Sequence, residues 1–396
     1  MGAMDDRIAI LECVARLEHW GAARGWVGAD PYEGLNSPLG HLARGRRARQ
    51  AVVQMYKRAP VTPPWPLGTR PRPNAKALSL ALSGYAAAKN EAFQSRDEQL
   101  HRLPGELRSL AMRDRHGSTG WGYHFQVQTR SIRYLETEPN AIATCFVVAG
   151  LLDAAAATGN EAHIELALAA RDFLVGLLQE GAQGPFFAYV GAGSELIHNA
   201  NIMVAATLAR LSQHRADPIA EQAAQEAAAT TIALQGPDGL WAYGERSDLR
   251  WQDCFHSVYL LEGVARLDDV FGIGAEALQR GLPAWRRAFI EGDGAASMHP
   301  GQRFPLEAHC YASAIDLLWG LYERDGNDEA LHTAVRVASS SLRELWIEDE
   351  GRFAFRRSAR RLNTREFMRW TNAPMFCALS RLGSLLDRVR PDVGRP

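Results

Sequence analysis

The sequence predicts an all-α protein, an (α/α)6 toroid of six helical hairpins. Three observations carry this. Apolar residues recur at i, i+3, i+4 and i+7 through most of the chain, and strand-like alternation is nearly absent. Five related glycine-led loops (GWGY, GPFFAYV, GLWAYG, GAASMHP and GRFAFRR) start at Gly120, Gly184, Gly239, Gly294 and Gly351, which are 64, 55, 55 and 57 residues apart. A fixed period of that length marks a repeat architecture. Six helices keep the same beat, opening with small polar or ionisable residues and then turning apolar, from Arg72, Glu138, Ile197, Trp251, Pro305 and Arg369.

The elements follow in order. Residues 1–70 comprise an acidic, amphipathic opening, MDDRIAILECVARL, unlike a signal peptide, and the Pro-rich stretch PVTPPWPLGTRPRP, which reads as an extended crossing segment. Between them RGRRARQ, Arg44 to Gln50, reads as a solvated helical face. The hairpins fill residues 71–390. Their small-residue helices form the inner ring, and amphipathic helices such as PIAEQAAQEAAATTIALQ form the outer ring. Closure lets residues 1–396 form one domain, although length alone suggests two or three. The Q-x-x-x-G-x-W stretch from Gln235 to Trp241, a pattern found in terpenoid cyclases, is then one repeat loop. No D-x-D-D or D-D-x-x-D trigger for carbocation chemistry accompanies it.

Composition narrows the partners. The 396 residues are 46% hydrophobic with a net charge of -1 and a pI near 6.9, which argues against nucleic acid bound through a broad basic field. Five scattered cysteines form no CxxC pair, and four of them sit in apolar helical runs, where a buried, reduced thiol is expected. No uninterrupted apolar run reaches the roughly 18 residues of a spanning helix. A cytoplasmic protein without membrane insertion is expected, and its oligomeric state stays open.

The toroid gathers the polar starts of the inner helices at one mouth, where free amides and the positive dipole end favour anionic or hydroxyl-rich ligands. Asp253 and His256 are three residues apart at a helix start, so a carboxylate can orient an imidazole for general acid/base work. Glu307 and His309 open the fifth inner helix, and Tyr123 in GYHFQVQTR offers a phenolic acid. Those five are the catalytic candidates. For substrate binding, Arg130 could clamp a carboxylate and Lys76 could meet a phosphate or carboxylate. Asn140, His198, Asn199 and Asn201 open inner helices, and Trp241, Tyr243, Trp251 and Trp370 could stack on sugar rings. Glu33 and Asn36 sit in a turn whose spacing dictates no chemistry. No metal or nucleotide cofactor is expected: H-E-x-x-H, close Cys/His sets, G-x-G-x-x-G and a P-loop are all absent, and His198, His256 and His309 across three helices are the one metal set conceivable.

DPYEGLNSP, from Asp30 to Pro38, followed by QMYKRAPV and RPNAKALSLAL, resembles the N-terminal signature of the VpsJ-like polysaccharide-biosynthesis proteins. Later segments resemble that family in the same order, among them WGYHFQVQTR, IHNANIMVAATLARL, WQDCFHSVYLLEGV, FPLEAHCYASAI and RWTNAPMFCAL, over roughly residues 28–385. ASMHPGQRFP departs from it, standing where the family has a PKYY patch. The resemblance implies bacterial exopolysaccharide or lipopolysaccharide assembly on a helical toroid. The expectation is an enzyme acting on a sugar, oligosaccharide or sugar conjugate by acid/base chemistry, of epimerase, lyase or glycosidase type. The alternatives are a non-catalytic glycan-binding protein and, third, a terpenoid cyclase-like enzyme.

Overall fold

The structure, a computed structural model, describes residues 3–89, 92–129 and 133–389. Helices α1 (Ala3–Ala22), α2 (Pro38–Leu42) and α3 (Gly45–Arg58) precede the repeats. Then follow α4 (Ala75–Ala87), α5 (Arg96–Ser109), α6 (Ala141–Thr158), α7 (Glu161–Leu168), α8 (Arg171–Val175), α9 (His198–Ser212) and α10 (Pro218–Ala233). The last are α11 (Cys254–Phe271), α12 (Ala275–Phe289), α13 (Ala308–Asp325), α14 (Asp328–Leu345) and α15 (Ala373–Arg388).

Six of these form a closed inner ring. α4 packs on α6, α6 on α9, α9 on α11, α11 on α13, α13 on α15, and α15 returns to α4. Helices α5, α7, α10, α12 and α14 each pack outside their inner partner. The outer place beside α15 is taken by α1, from the other end of the chain, which also touches α14. The architecture is the (α/α)6 toroid expected from the repeat.

Local chemistry sets the boundaries. The side chains of Asn74, Asn140 and Asp253 accept backbone N–H bonds at the starts of α4, α6 and α11. The loop glycines are steric: Gly239 takes φ 86°, and a Cβ there would lie 2.8 Å from the Arg280 carbonyl oxygen of α12. Turn and outer helix therefore touch only because that side chain is missing. The five cysteines are buried and unpaired.

Two features differ from the sequence reading. α6 is long and apolar enough to cross a membrane, by length and composition. Here it is an inner-ring helix packed on α4, α7 and α9, and its Asp153 is paired with Arg210 and Arg381. Short antiparallel strands also occur, including a four-stranded sheet in the order 362–363, 356–357, 302–307, 297–299. These strands are two to six residues long, too short for alternation to register. They carry the connections into α13 and α15 at the mouth.

Candidate functional site

A cavity of about 500 Å³ lies where the inner helices begin. Six tyrosines line it (Tyr32, Tyr123, Tyr134, Tyr189, Tyr243 and Tyr259), with Trp251 and Trp370. Several rings stack face to face: Tyr243 on Trp251 at 4.3 Å, Tyr134 on Tyr189 at 5.3 Å and Tyr123 on Phe125 at 5.2 Å. Burial raises the Tyr123, Tyr134, Tyr189, Tyr243 and Tyr259 hydroxyls above their ordinary pKa, so they serve as neutral donors and acceptors.

The first turn of α11 builds one half of the chemistry. Asp253 accepts the His256 backbone N–H through Oδ1 at 2.9 Å, and its Oδ2 lies 2.8 Å from His256 Nδ1. That contact fixes the proton on Nδ1 and leaves Nε2 as the basic nitrogen. Asp253 is buried, while the His256 imidazole keeps 20% of its surface open to the cavity.

The other half crosses three inner helices. His309 on α13 stacks on Trp370 at 4.5 Å, and its Nδ1 lies 3.1 Å from the Trp370 carbonyl oxygen. A carbonyl only accepts, so Nδ1 carries the proton and Nε2 accepts from the Tyr259 hydroxyl at 2.7 Å. Lys76 Nζ on α4 donates to the same Tyr259 oxygen at 3.3 Å and lies 3.9 Å from the Phe146 ring centre. Burial, reinforced by Lys76 and Arg369, holds His309 well below its usual pKa, so it is a neutral imidazole. Burial, with Arg369 adding to it, likewise pushes the Lys76 amine well down. Lys76, Tyr259 and His309 thus form a hydrogen-bonded line opening on the cavity.

Arg369 and Asp30 hold this wall. Both are buried, and Arg369 donates to both carboxylate oxygens of Asp30, one of them at 2.8 Å. The guanidinium lies 4.7 Å from the Tyr123 ring and 5.2 Å from that of Trp370. Lys57 on α3 donates to the Tyr32 hydroxyl at 3.0 Å. Among the described residues, neither Lys57 nor Lys76 has a carboxylate partner.

The sequence candidates divide cleanly. Tyr123, Tyr243, Trp251, Trp370, Asp253, His256, His309, Lys76 and Asn199 line the cavity. Asn199 Oδ1 is buried there without a partner. Five others do not line it. Glu307 is buried against Arg356 and accepts from Trp370 Nε1 at 3.2 Å, so it props Trp370 instead of offering a free carboxylate. His198 is buried between Thr231 and Glu245, at 3.1 and 3.0 Å, with its pKa lowered by burial. Asn201 bonds the Ala227 carbonyl and Thr231 of α10. Asn140 is the cap of α6. Trp241 is buried with Nε1 donating to the Thr231 carbonyl at 2.8 Å, a packing role that leaves no face for a sugar. Arg130 lies outside the described residues. Glu33 and Asn36 bond His124 and its backbone, tying the N-terminal turn to the 123–128 loop. His198 faces α10, away from the cavity that His256 and His309 share, so these three do not converge, and no group of ligands suited to a metal occurs among the described residues.

Several site residues escaped the sequence reading: Asp30, Arg369, Tyr32, Lys57, Tyr134, Tyr189 and Tyr259. Tyr259 had a signal, standing three residues after His256 on the same helical face. Beyond Tyr259 and His309, which line both spaces, a second cavity of about 320 Å³ follows the C-terminal halves of the inner helices. There Asp153 bonds Ser83, Arg210 and Arg381, and burial followed by Asp316 raises Glu262 to about 8.

No family model matches the chain and no curated protein matches it by sequence, so the VpsJ-like resemblance stands on its motifs alone. Solved structures do match. A GH76 α-mannanase from Bacteroides thetaiotaomicron aligns with a TM-score of 0.62 at 12% identity, over 80% of this chain and 86% of that one. Cellobiose 2-epimerase from Bacillus thermoamylovorans gives 0.55 at 13% identity, over 80% and 88%. A polysaccharide lyase gives 0.58 at 9% identity, over 98% and 99%. At these identities the likeness is one of fold.

Proposed function

We propose that this protein is a carbohydrate-active enzyme that moves a proton on a bound sugar, of epimerase or lyase type, within bacterial polysaccharide biosynthesis. One observation carries the reading: the Asp253–His256 pair and the Lys76–Tyr259–His309 line open on the same aromatic cavity. The toroid neighbours include sugar epimerases, a mannanase and a polysaccharide lyase, which supports a sugar as the ligand. His256 Nε2 takes a proton from the carbon beside a sugar carbonyl or carboxylate. The Tyr259 hydroxyl turns its proton from His309 Nε2 to the substrate, either to the opposite face of that carbon or to a departing glycosidic oxygen, and the hydrogen bond from Lys76 Nζ stabilises the phenolate left behind. Asn199 Oδ1 accepts a sugar hydroxyl, and the rings of Trp251 and Tyr243 make the platform. Lys57, which has no carboxylate partner among the described residues, favours a substrate bearing negative charge, and such a charge draws the Lys76 amine back towards its protonated form.

Hydrolysis by paired carboxylates is the weaker reading. Asp30 is bound to Arg369, Asp253 to His256 and Glu307 to Arg356, so none stands free for an acid–base pair. Product analysis on uronic acids, amino sugars and their oligomers separates the cases. Epimers or unsaturated sugars, lost in His256→Gln, support the proposal. Saturated hydrolysis products overturn it, and binding without turnover assigns a glycan-binding role.

A further inference from the structure

From Gly34 to Lys89 the chain contains no aspartate or glutamate, yet it carries ten lysines and arginines, in a protein whose net charge is -1. The first part of this stretch, α2, α3 and the extended run to Pro73, caps one side of the cavity. Val53, Gln54 and Lys57 of α3 line the cavity itself. The segment is folded, not loose: Leu39 N–H bonds the Pro66 carbonyl at 3.0 Å, Tyr56 bonds Thr69 at 2.7 Å, and Leu35, Val52 and Val53 form a small core with Leu39 and Leu67.

Its outer side is unusual. Eight large hydrophobic residues are exposed among the described residues, and four of them are here: Leu42, Met55, Val61 and Trp65. Trp65 is 81% exposed and Leu42 76%. The Leu39–Pro66 hydrogen bond brings the Leu42 helix beside Trp65. Arg44, Arg47, Arg58, Arg70 and Arg72 of the same segment are exposed as well.

We propose that this face is a docking surface for an anionic lipid bilayer, held peripherally with no segment crossing. Arginines draw the protein to acidic headgroups, and a tryptophan with aliphatic neighbours enters the interface. A nucleic acid or acidic polymer would satisfy the arginines but leave Leu42 and Val61 in water. Docking in this way puts the cavity mouth next to the membrane, within reach of a sugar carried on a lipid. That consequence rests on the proposed function; the docking does not.

The test uses the full chain and sedimentation with vesicles of phosphatidylcholine containing phosphatidylglycerol, against phosphatidylcholine alone. Binding to the anionic vesicles only, falling with salt, is expected. Arg44→Gln, Arg47→Gln and Arg58→Gln together should weaken it roughly 100-fold, while the corresponding lysine variants keep it. Lipids with brominated acyl chains should quench fluorescence in the wild type and much less in Trp65→Phe. No binding to anionic vesicles at low salt overturns the proposal. So does binding to heparin or single-stranded DNA that exceeds vesicle binding, since it would assign the face to a polyanionic chain. Quenching unchanged in Trp65→Phe overturns insertion of that side chain.

Discussion

Asp30→Asn removes one charge and keeps the shape of the side chain. In the wild type Asp30 is 1% exposed and Arg369 4%, and the two are bonded at both carboxylate oxygens. The variant leaves the Arg369 guanidinium buried among Tyr32, Tyr123, Phe125 and Trp370 with no counter-charge. Breaking a buried pair from one side costs about 3–5 kcal/mol. With an unfolding entropy of about 2 cal/mol/K per residue, a chain of this length loses about 4–6 °C of Tm. The assay is calorimetric melting of Asp30→Asn, Arg369→Met and the Asp30→Leu/Arg369→Met double variant. The double variant buries no charge and should melt above Asp30→Asn. A shift in Asp30→Asn below about 1 °C, or a double variant no more stable than Asp30→Asn, would refute the view that this pair anchors the wall.

Other predictions concern the titrating groups. Asp253→Asn frees the His256 tautomer and should lower kcat roughly 100-fold or more with little change in melting, read by steady-state kinetics once a substrate is found. Lys76→Met removes a buried amine whose pKa is depressed in the fold. Such a group favours the folded state less and less as pH falls below its unfolded value of about 10.4. Thermal melts at pH 7 should therefore show Lys76→Met more stable than wild type and inactive. Glu262 has the opposite sign. Its folded pKa is raised to about 8 from 4.5, so its contribution is complete below 4.5 and is lost as pH rises towards 8. Melting curves of Glu262→Gln should gain on wild type across that window. His309, held low, makes stability fall as pH drops below the unfolded value of about 6.5; His309→Gln should flatten that limb of the stability profile.

The ring was legible because its cause is periodic. Four of the five loop glycines, Gly184, Gly239, Gly294 and Gly351, recur where a turn meets the outer helices α10, α12, α14 and α1, and the inner helices are rich in small apolar residues since they pack on both sides. The Asp253–His256 pair was legible because three residues along a helix is a contact distance. What the repeat register does not fix is which way each opening residue points. On α9, His198 and Asn201 share a face and both turn to Thr231, whereas Asn199, about 100° round the helix, meets the cavity. The same register on α13 points His309 inward. Trp241 shows the limit of composition: a sugar platform and a packing tryptophan have the same letter, and its bond to the Thr231 carbonyl decides between them. Asp30 and Arg369, 339 residues apart, meet only because the N-terminal turn folds over the start of α15, and no spacing rule anticipates that.

The central claim is that His256 moves a carbon-bound proton. Incubating the protein in deuterium oxide with uronic acids, amino sugars and their lipid- or nucleotide-linked forms, followed by mass spectrometry, tests it most directly. The account predicts uptake of deuterium at one sugar carbon, or an unsaturated product formed by loss of that proton, and neither in His256→Gln. A sugar turned over with all its carbon-bound hydrogens retained, or exchange undiminished in His256→Gln, would contradict it.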